Sequence, residues 1–159
     1  FNKKLYLLEK KIIYIKKGGE KMKKAIIYST TTGNTEAMAN AVKKGAELSG
    51  AEVYFSTADS ADSAKVLACD VIILGSPAMG AEELEDSMEA FYNSIESGLS
   101  GKKVAVFGSY DWGDGEWLRL WRDRIVSAGA SVVNVDGLAG HLFPDEETVA
   151  ACEKLGKEA

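Results

Sequence analysis

The chain has 159 residues, 46% apolar and 27% charged, a make-up that suits one globular domain and is too short for two ordinary ones. No uncharged apolar run reaches the roughly 18 residues of a membrane helix, and Cys69 and Cys152 lack the close spacing of a zinc site, a redox dithiol or a disulfide framework. Residues 1 to 21 hold seven lysines against two glutamates, so the rest carries 12 basic against 22 acidic side chains, a net charge of −10. A body of that sign repels nucleic acid and anionic membrane and is steered toward basic protein surfaces.

The first stretch, "FNKKLYLLEKKIIYIKKGGEKM", runs basic and apolar up to Met22 and reads as a segment apart. Its apolar patches are too short to cross a membrane, and no small-residue cleavage site follows. The codons of "KKGGEKM" can spell a ribosome-binding stretch ahead of an ATG. The expectation is therefore a leader or disordered extension over 1–21 and a domain over 22–159. The alternative is a basic amphipathic anchor, given the helix-like mixture of Lys and aliphatics.

Beyond Met22 the chain alternates apolar β-branched runs with amphipathic helical patterns. Strands are expected over 25–30, 52–58, 70–76, 102–109 and 131–138. Helices are expected over 34–50, 62–68, 84–95, 116–129 and 145–158. In the first helix Ala37, Met38, Ala41, Val42 and Leu48 fall at helical spacing. Five such units demand parallel strands with right-handed crossovers and helices on both faces, an open α/β fold. Ligands of these sheets bind at the carboxyl ends of the strands. The loops to read are 30–35, 76–83 and 109–115.

The first loop, Thr30, Thr31, Thr32, Gly33, Asn34 and Thr35, lies between a strand and a helix N-terminus, where unpaired N–H groups and the dipole favour an anion. Without a lysine it is no nucleotide-triphosphate loop, and it is not the GxGxxG turn. A terminal phosphate monoester fits it; the bland alternative is a Thr- or Asn-capped helix. The second loop, "GSPAMGAEELE", carries Met79 and Gly80, and the third, "GSYDWGDGEW", carries Tyr110 and Trp112. Exposed apolar groups on adjacent loops can clamp a flat ring. A phosphate pocket beside such a clamp describes a flavin mononucleotide (FMN) site.

These motifs, "TTTGNT", "AMG" and "GSYxWGDG" in that order, resemble the short-chain, clostridial-type flavodoxins, and the likeness covers the chain after Met22. The resemblance implies a three-layer sandwich with a five-stranded parallel sheet of order 2-1-3-4-5. It implies non-covalent FMN with its phosphate on residues 30–35. The ring would lie between loop residues Ser76, Pro77, Ala78, Met79, Gly80 and Glu82 and residues Ser109, Tyr110, Asp111, Trp112, Gly113 and Asp114. Met79 would pack on the inner ring face, Trp112 on the outer, and Glu82 would accept from the flavin N3–H. The Gly80 carbonyl would turn toward N5 on reduction, and amides near Asp111 and Gly113 would face N1 and O2. Two positions depart from the pattern: Asp111 stands where glycine is common and Ala81 where an acid is.

Other residues have plainer readings. Trp117 and Trp121, four apart, are expected to cover the sheet, and His141 to sit at the surface with no carboxylate or cysteine partner nearby. Glu82, Glu83, Glu85 and Asp86 suit either a solvated helix start or a docking surface. The function expected is a low-potential one-electron carrier, monomeric and cytoplasmic, serving redox partners with basic docking surfaces and catalysing no substrate reaction itself. An NAD(P)H-dependent quinone or flavin reductase and an FMN-binding sensory module are the alternatives. A response-regulator receiver is set aside, because Ser29–Thr30 and Gly75–Ser76 occupy the places of its acids.

Overall fold

The computed structural model describes residues 3–8, 11–16 and 18–159. Strands β1 (Lys3–Leu8) and β2 (Lys11–Lys16) pair antiparallel, from Lys3 opposite Lys16 to Leu8 opposite Lys11. This corrects the helix-like reading of the stretch: runs such as Ile-Ile-Tyr-Ile favour a pleated strand over a helix. Lys16 anchors the hairpin to the body through Asp70, 3.1 Å away, and Ile15 bridges to Lys21.

The body follows as β3 (Lys23–Tyr28), α1 (Asn34–Leu48), β4 (Glu52–Thr57), α2 (Ser63–Leu67), β5 (Val71–Gly75), a small hairpin of β6 (Ala78–Met79) and β7 (Glu83–Leu84), α3 (Asp86–Ile95), β8 (Lys103–Tyr110), α4 (Glu116–Ser127), β9 (Ser131–Val132), β10 (Leu138–His141) and α5 (Glu146–Glu158). The main sheet runs β10-β8-β5-β3-β4, every pair parallel, with β9 also on β8. Counted by strand–helix unit this is the expected order 2-1-3-4-5. The strands alternate their side chains between two cores. Ile27, Ile72, Leu74, Val104 and Val106 meet α3 and α4, where Trp117 and Trp121 lie buried as expected, and Ile26, Ile73 and Phe107 meet α1 and α5. All five strands end at one edge of the molecule.

Most boundaries shift by one or two residues, and two differences from the pattern have a visible cause. The fifth strand, expected unbroken over 131–138, is interrupted: the Asn134 side chain accepts from Val106 N–H (3.0 Å) and donates to Val106 C=O (2.8 Å), standing in for the backbone of a strand residue. The chain bulges over 133–137 before β10 resumes the pairing. The third helix begins at Asp86 rather than 84, because Glu83 and Leu84 belong to β7. In α1 the buried stripe is Met38, Val42, Gly45 and Ala46, whereas Leu48 lies off it, 41% exposed.

Helices α1 and α5 approach at glycines. A Cβ on Gly156 would stand 1.9 Å from Val42 O, and one on Gly45 would stand 1.8 Å from Glu153 O. The buried Lys24 closes the same junction by donating from Nζ to Gly156 O at 2.9 Å, a C-terminal helix carbonyl that a cation suits. Gly156→Ala is therefore expected to destabilise the fold by about 1–3 kcal/mol through overpacking, read as a lower urea midpoint at unchanged slope. Burial pushes the Cys152 thiol up to about 12 and raises that of Cys69. Since the thiolate is the reactive form, neither should react with Ellman's reagent at about pH 8 in the native protein, and both should react in denaturant.

Candidate functional site

Each loop leaves the carboxyl end of a central strand. After β3, Ser29 N–H still bonds Gly75 O at 2.9 Å, and the chain then turns. Thr30 Oγ1 accepts from Gly33 N–H at 3.1 Å, and Gly33 adopts φ +91°, a left-handed conformation that disfavours any side chain. That backbone requirement explains the glycine, since a Cβ there would meet nothing within 4 Å. No side chain caps α1, which removes the capped-helix reading of the loop. The N–H groups of Thr31, Thr32, Asn34, Thr35 and Glu36 find no acceptor among the described residues. Nor does any described Lys or Arg side chain bond to residues 30–36. Thr35 is wholly buried, its hydroxyl 2.7 Å from that of Ser109, so the first and third loops are bonded directly.

After β5, Ser76 is buried; its hydroxyl donates to Pro77 O (3.0 Å) and accepts from Glu85 N–H (3.0 Å). Ala78 and Met79 pair with Leu84 and Glu83, which sets residues 80–82 at the tip of a hairpin. Met79 is 37% exposed there. Gly80 (φ +50°) and Glu82 (φ +56°) are both left-handed. Glu85 caps α3 through Oε2, which accepts from Ser87 N–H and Oγ and from Met88 N–H. Burial opposes its charge, but these bonds prevail and hold its pKa below the usual value.

After β8, Tyr110 is half-buried and Asp111, Trp112, Gly113 and Asp114 are exposed, Trp112 by 62%. Glu82 is buried, and its Oε1 accepts from the N–H groups of Asp114 (3.3 Å), Gly115 (3.2 Å) and Glu116 (3.1 Å), the N-terminus of α4. Its Oε2 has no donor among the described residues. Arg119 holds the other side of this turn, donating to Asp114 O (3.0 Å) and Oδ1 (2.8 Å). Trp117 Nε1 donates to Ser76 O at 3.1 Å, and Gly108 lies so close to Ser76 O that a Cβ would fall 1.9 Å from it.

Of the four acids expected as a solvated helix start or docking face, then, Glu82 and Glu85 are internal caps, and Glu83 and Asp86 are exposed. His141 is exposed as expected but has a backbone partner: its Nε2 lies 3.0 Å from Asp111 O and its ring 5.2 Å from that of Tyr110. Nothing in the spacing marks this contact, because only the register of β10 on β8 brings residues 30 apart together. The finished arrangement offers a run of free amides at a helix N-terminus and two exposed apolar side chains on loops that one carboxylate ties together. Among the described residues no group of three His, Cys, Asp or Glu is placed to hold a metal.

A family model described as Flavodoxin matches residues 26–156. The flavodoxin of Megasphaera elsdenii is 42% identical over 135 residues, 84% of this chain and 96% of that one, and the flavodoxin of Clostridium beijerinckii is 42% identical over 134 residues with the same coverage. Among solved structures, oxidised flavodoxin 2 from Bacillus cereus superposes with a TM-score of 0.75 at 36% identity, covering 84% of this chain and 94% of that one. With its sheet order, its three strand-end loops and these matches in agreement, the chain belongs to the flavodoxin family, whose members bind FMN and carry electrons.

Proposed function

We propose that this chain is a low-potential carrier that passes one electron at a time between redox enzymes and catalyses no substrate reaction of its own. The observation that carries the reading is the set of unpaired amides at residues 31, 32 and 34–36, to which no described Lys or Arg side chain bonds. Such a site suits the phosphate of FMN and leaves its charge uncompensated. Residues 30–35 would hold the phosphate, and Met79 and Trp112 would flank the ring. When bound, FMN supplies the capacity to exchange one or two electrons.

The residues bias that exchange. Glu82, Glu83, Asp111 and Asp114 stand on the ring loops, so added negative charge there is costly and the potential of the last reduction step is driven down. The left-handed Gly80 sits at an open hairpin tip where its peptide can turn, offering a carbonyl to a protonated ring nitrogen at little cost. The Oε2 of Glu82 is available to the ring N–H opposite. Asp111 adds negative charge where glycine is common, and Ala81 removes it next to Gly80; the two departures oppose each other. The exposed carboxylates would steer a monomeric, cytoplasmic carrier toward basic partners.

Stepwise anaerobic reduction of the purified yellow protein, followed by absorbance, is expected to pass through a distinct half-reduced spectrum. Direct bleaching in one step would favour a two-electron reductase, as would steady NAD(P)H oxidation by the protein alone. Electron transfer to a basic acceptor such as cytochrome c should slow by about tenfold or more between low and physiological ionic strength; a rate indifferent to salt would remove the acidic docking face from the proposal.

A further inference from the structure

Among the described residues only Glu82 (φ +56°) and Leu142 (φ +59°) are left-handed without being glycine. Each such residue carries backbone strain and persists where the surroundings impose it. Both lie against the third loop. Glu82 sends its carboxylate to the amides of residues 114–116. Leu142 directly follows His141, donates its N–H to Tyr110 O at 2.8 Å, and ends β10 there. The kink fixes His141 beside Tyr110 at the last paired position of the strand.

From that position His141 Nε2 reaches Asp111 O at 3.0 Å. A carbonyl only accepts, so Nε2 is the protonated nitrogen and His141 is the donor. The peptide between Asp111 and Trp112 is trans and planar, so its C=O and N–H point in opposite directions. Pulling the Asp111 carbonyl toward β10 therefore turns the Trp112 N–H away from β10. That N–H has no acceptor among the described residues, and the same is true of the Asp111 and Gly113 N–H groups. The next anchored peptides are Gly113–Asp114, whose N–H donates to Glu82, and Asp114–Gly115, held on its carbonyl by Arg119 and on its N–H by Glu82. The loop is thus clamped at both ends and leaves its middle donors open.

We propose that His141 is a positioning residue for the flavin ring: by holding the Asp111 carbonyl it aims the Trp112 N–H at the polar edge of the ring. This rests on the assignment of residues 109–114 to the ring. A donor fixed on that edge strengthens as the ring gains electrons, so His141 sets the potential as well as the affinity. The ring contact with Tyr110, itself 5.8 Å from Trp117, restrains the imidazole in the orientation the bond needs.

The test compares FMN-loaded wild type with His141→Ala and with His141→Gln, whose amide can place a donor near the position of Nε2. Binding of FMN to each protein and the midpoint potential of each step are measured. For His141→Ala the dissociation constant is expected to rise by up to about tenfold, the worth of one hydrogen bond, with the last midpoint potential displaced from wild type. His141→Gln should lie within about twofold of wild type and restore the potential. Wild-type behaviour in His141→Ala, or equal impairment in both variants, overturns the proposal while leaving the carrier reading intact. A wild-type chain that takes up no FMN overturns both.

Discussion

The carboxylate of Glu82 is the contact on which the candidate site depends. A buried carboxylate is costly unless its charge is met by donors, and here three successive amides at the start of α4 meet it, at 3.1–3.3 Å, where the helix dipole adds to them. The bond joins the hairpin that follows β5 to the loop that follows β8. Neither segment has a regular ladder with the other, so this carboxylate is what ties the hairpin tip to the third loop. With it, Met79 and Trp112 are carried on one connected unit. The left-handed backbone at Glu82 fits this account, since the side chain reaches α4 from a hairpin tip too tight for an extended residue.

The same coupling extends inward. Thr35 bonds Ser109, Trp117 donates to Ser76 O, and Gly108 passes close to Ser76. The ends of β3, β5 and β8 are therefore linked by buried polar contacts that water does not screen. The outcome is a division of labour along the backbone: the flanks of each loop are tied, and the amides between them are left unpaired. Unpaired amides are tolerable at a surface, where water satisfies them, and they become donors for a ligand that excludes that water.

The fold was legible where hydrophobic rhythm carries it. The continuous run in β5 and the helical stripe in α1 are consequences of two-sided and one-sided burial, and they identify the strand–helix units directly. What broke the rhythm was side-chain chemistry acting over distance. Asn134 replaces a stretch of backbone by bonding both polar groups of Val106, and no local preference announces that. The loops stood out in the sequence as a candidate phosphate turn and ring clamp because glycine, threonine and aromatics at strand ends are local signals. The roles of Glu82, Glu85 and His141 were not, since each depends on a partner that the sheet register alone supplies. The hairpin of β1 and β2 was misread for the related reason that mixed Lys and aliphatic residues fit both periods over so short a span.

That distinction changes how the acidity of the chain should be weighed. A count of carboxylates treats all of them as a field offered to partners, but several are consumed inside the fold. Glu82 and Glu85 cap helices, Asp114 is held by Arg119, and Glu89 is held by Arg124 at 2.8 Å. Asp70 anchors the basic hairpin through Lys16. Around the ring loops the exposed carboxylates without an ion pair among the described residues are Glu83, Asp86, Asp111 and Glu116. A charge neutralised by an adjacent cation contributes little beyond a Debye length of about 8 Å. The field that reaches an approaching partner from this end of the molecule therefore arises mainly from those four. Glu83 and Asp86 lie on the Met79 side and Asp111 and Glu116 on the Trp112 side, so the attraction they would exert is centred between the two loops, where the proposed ring site would meet a partner.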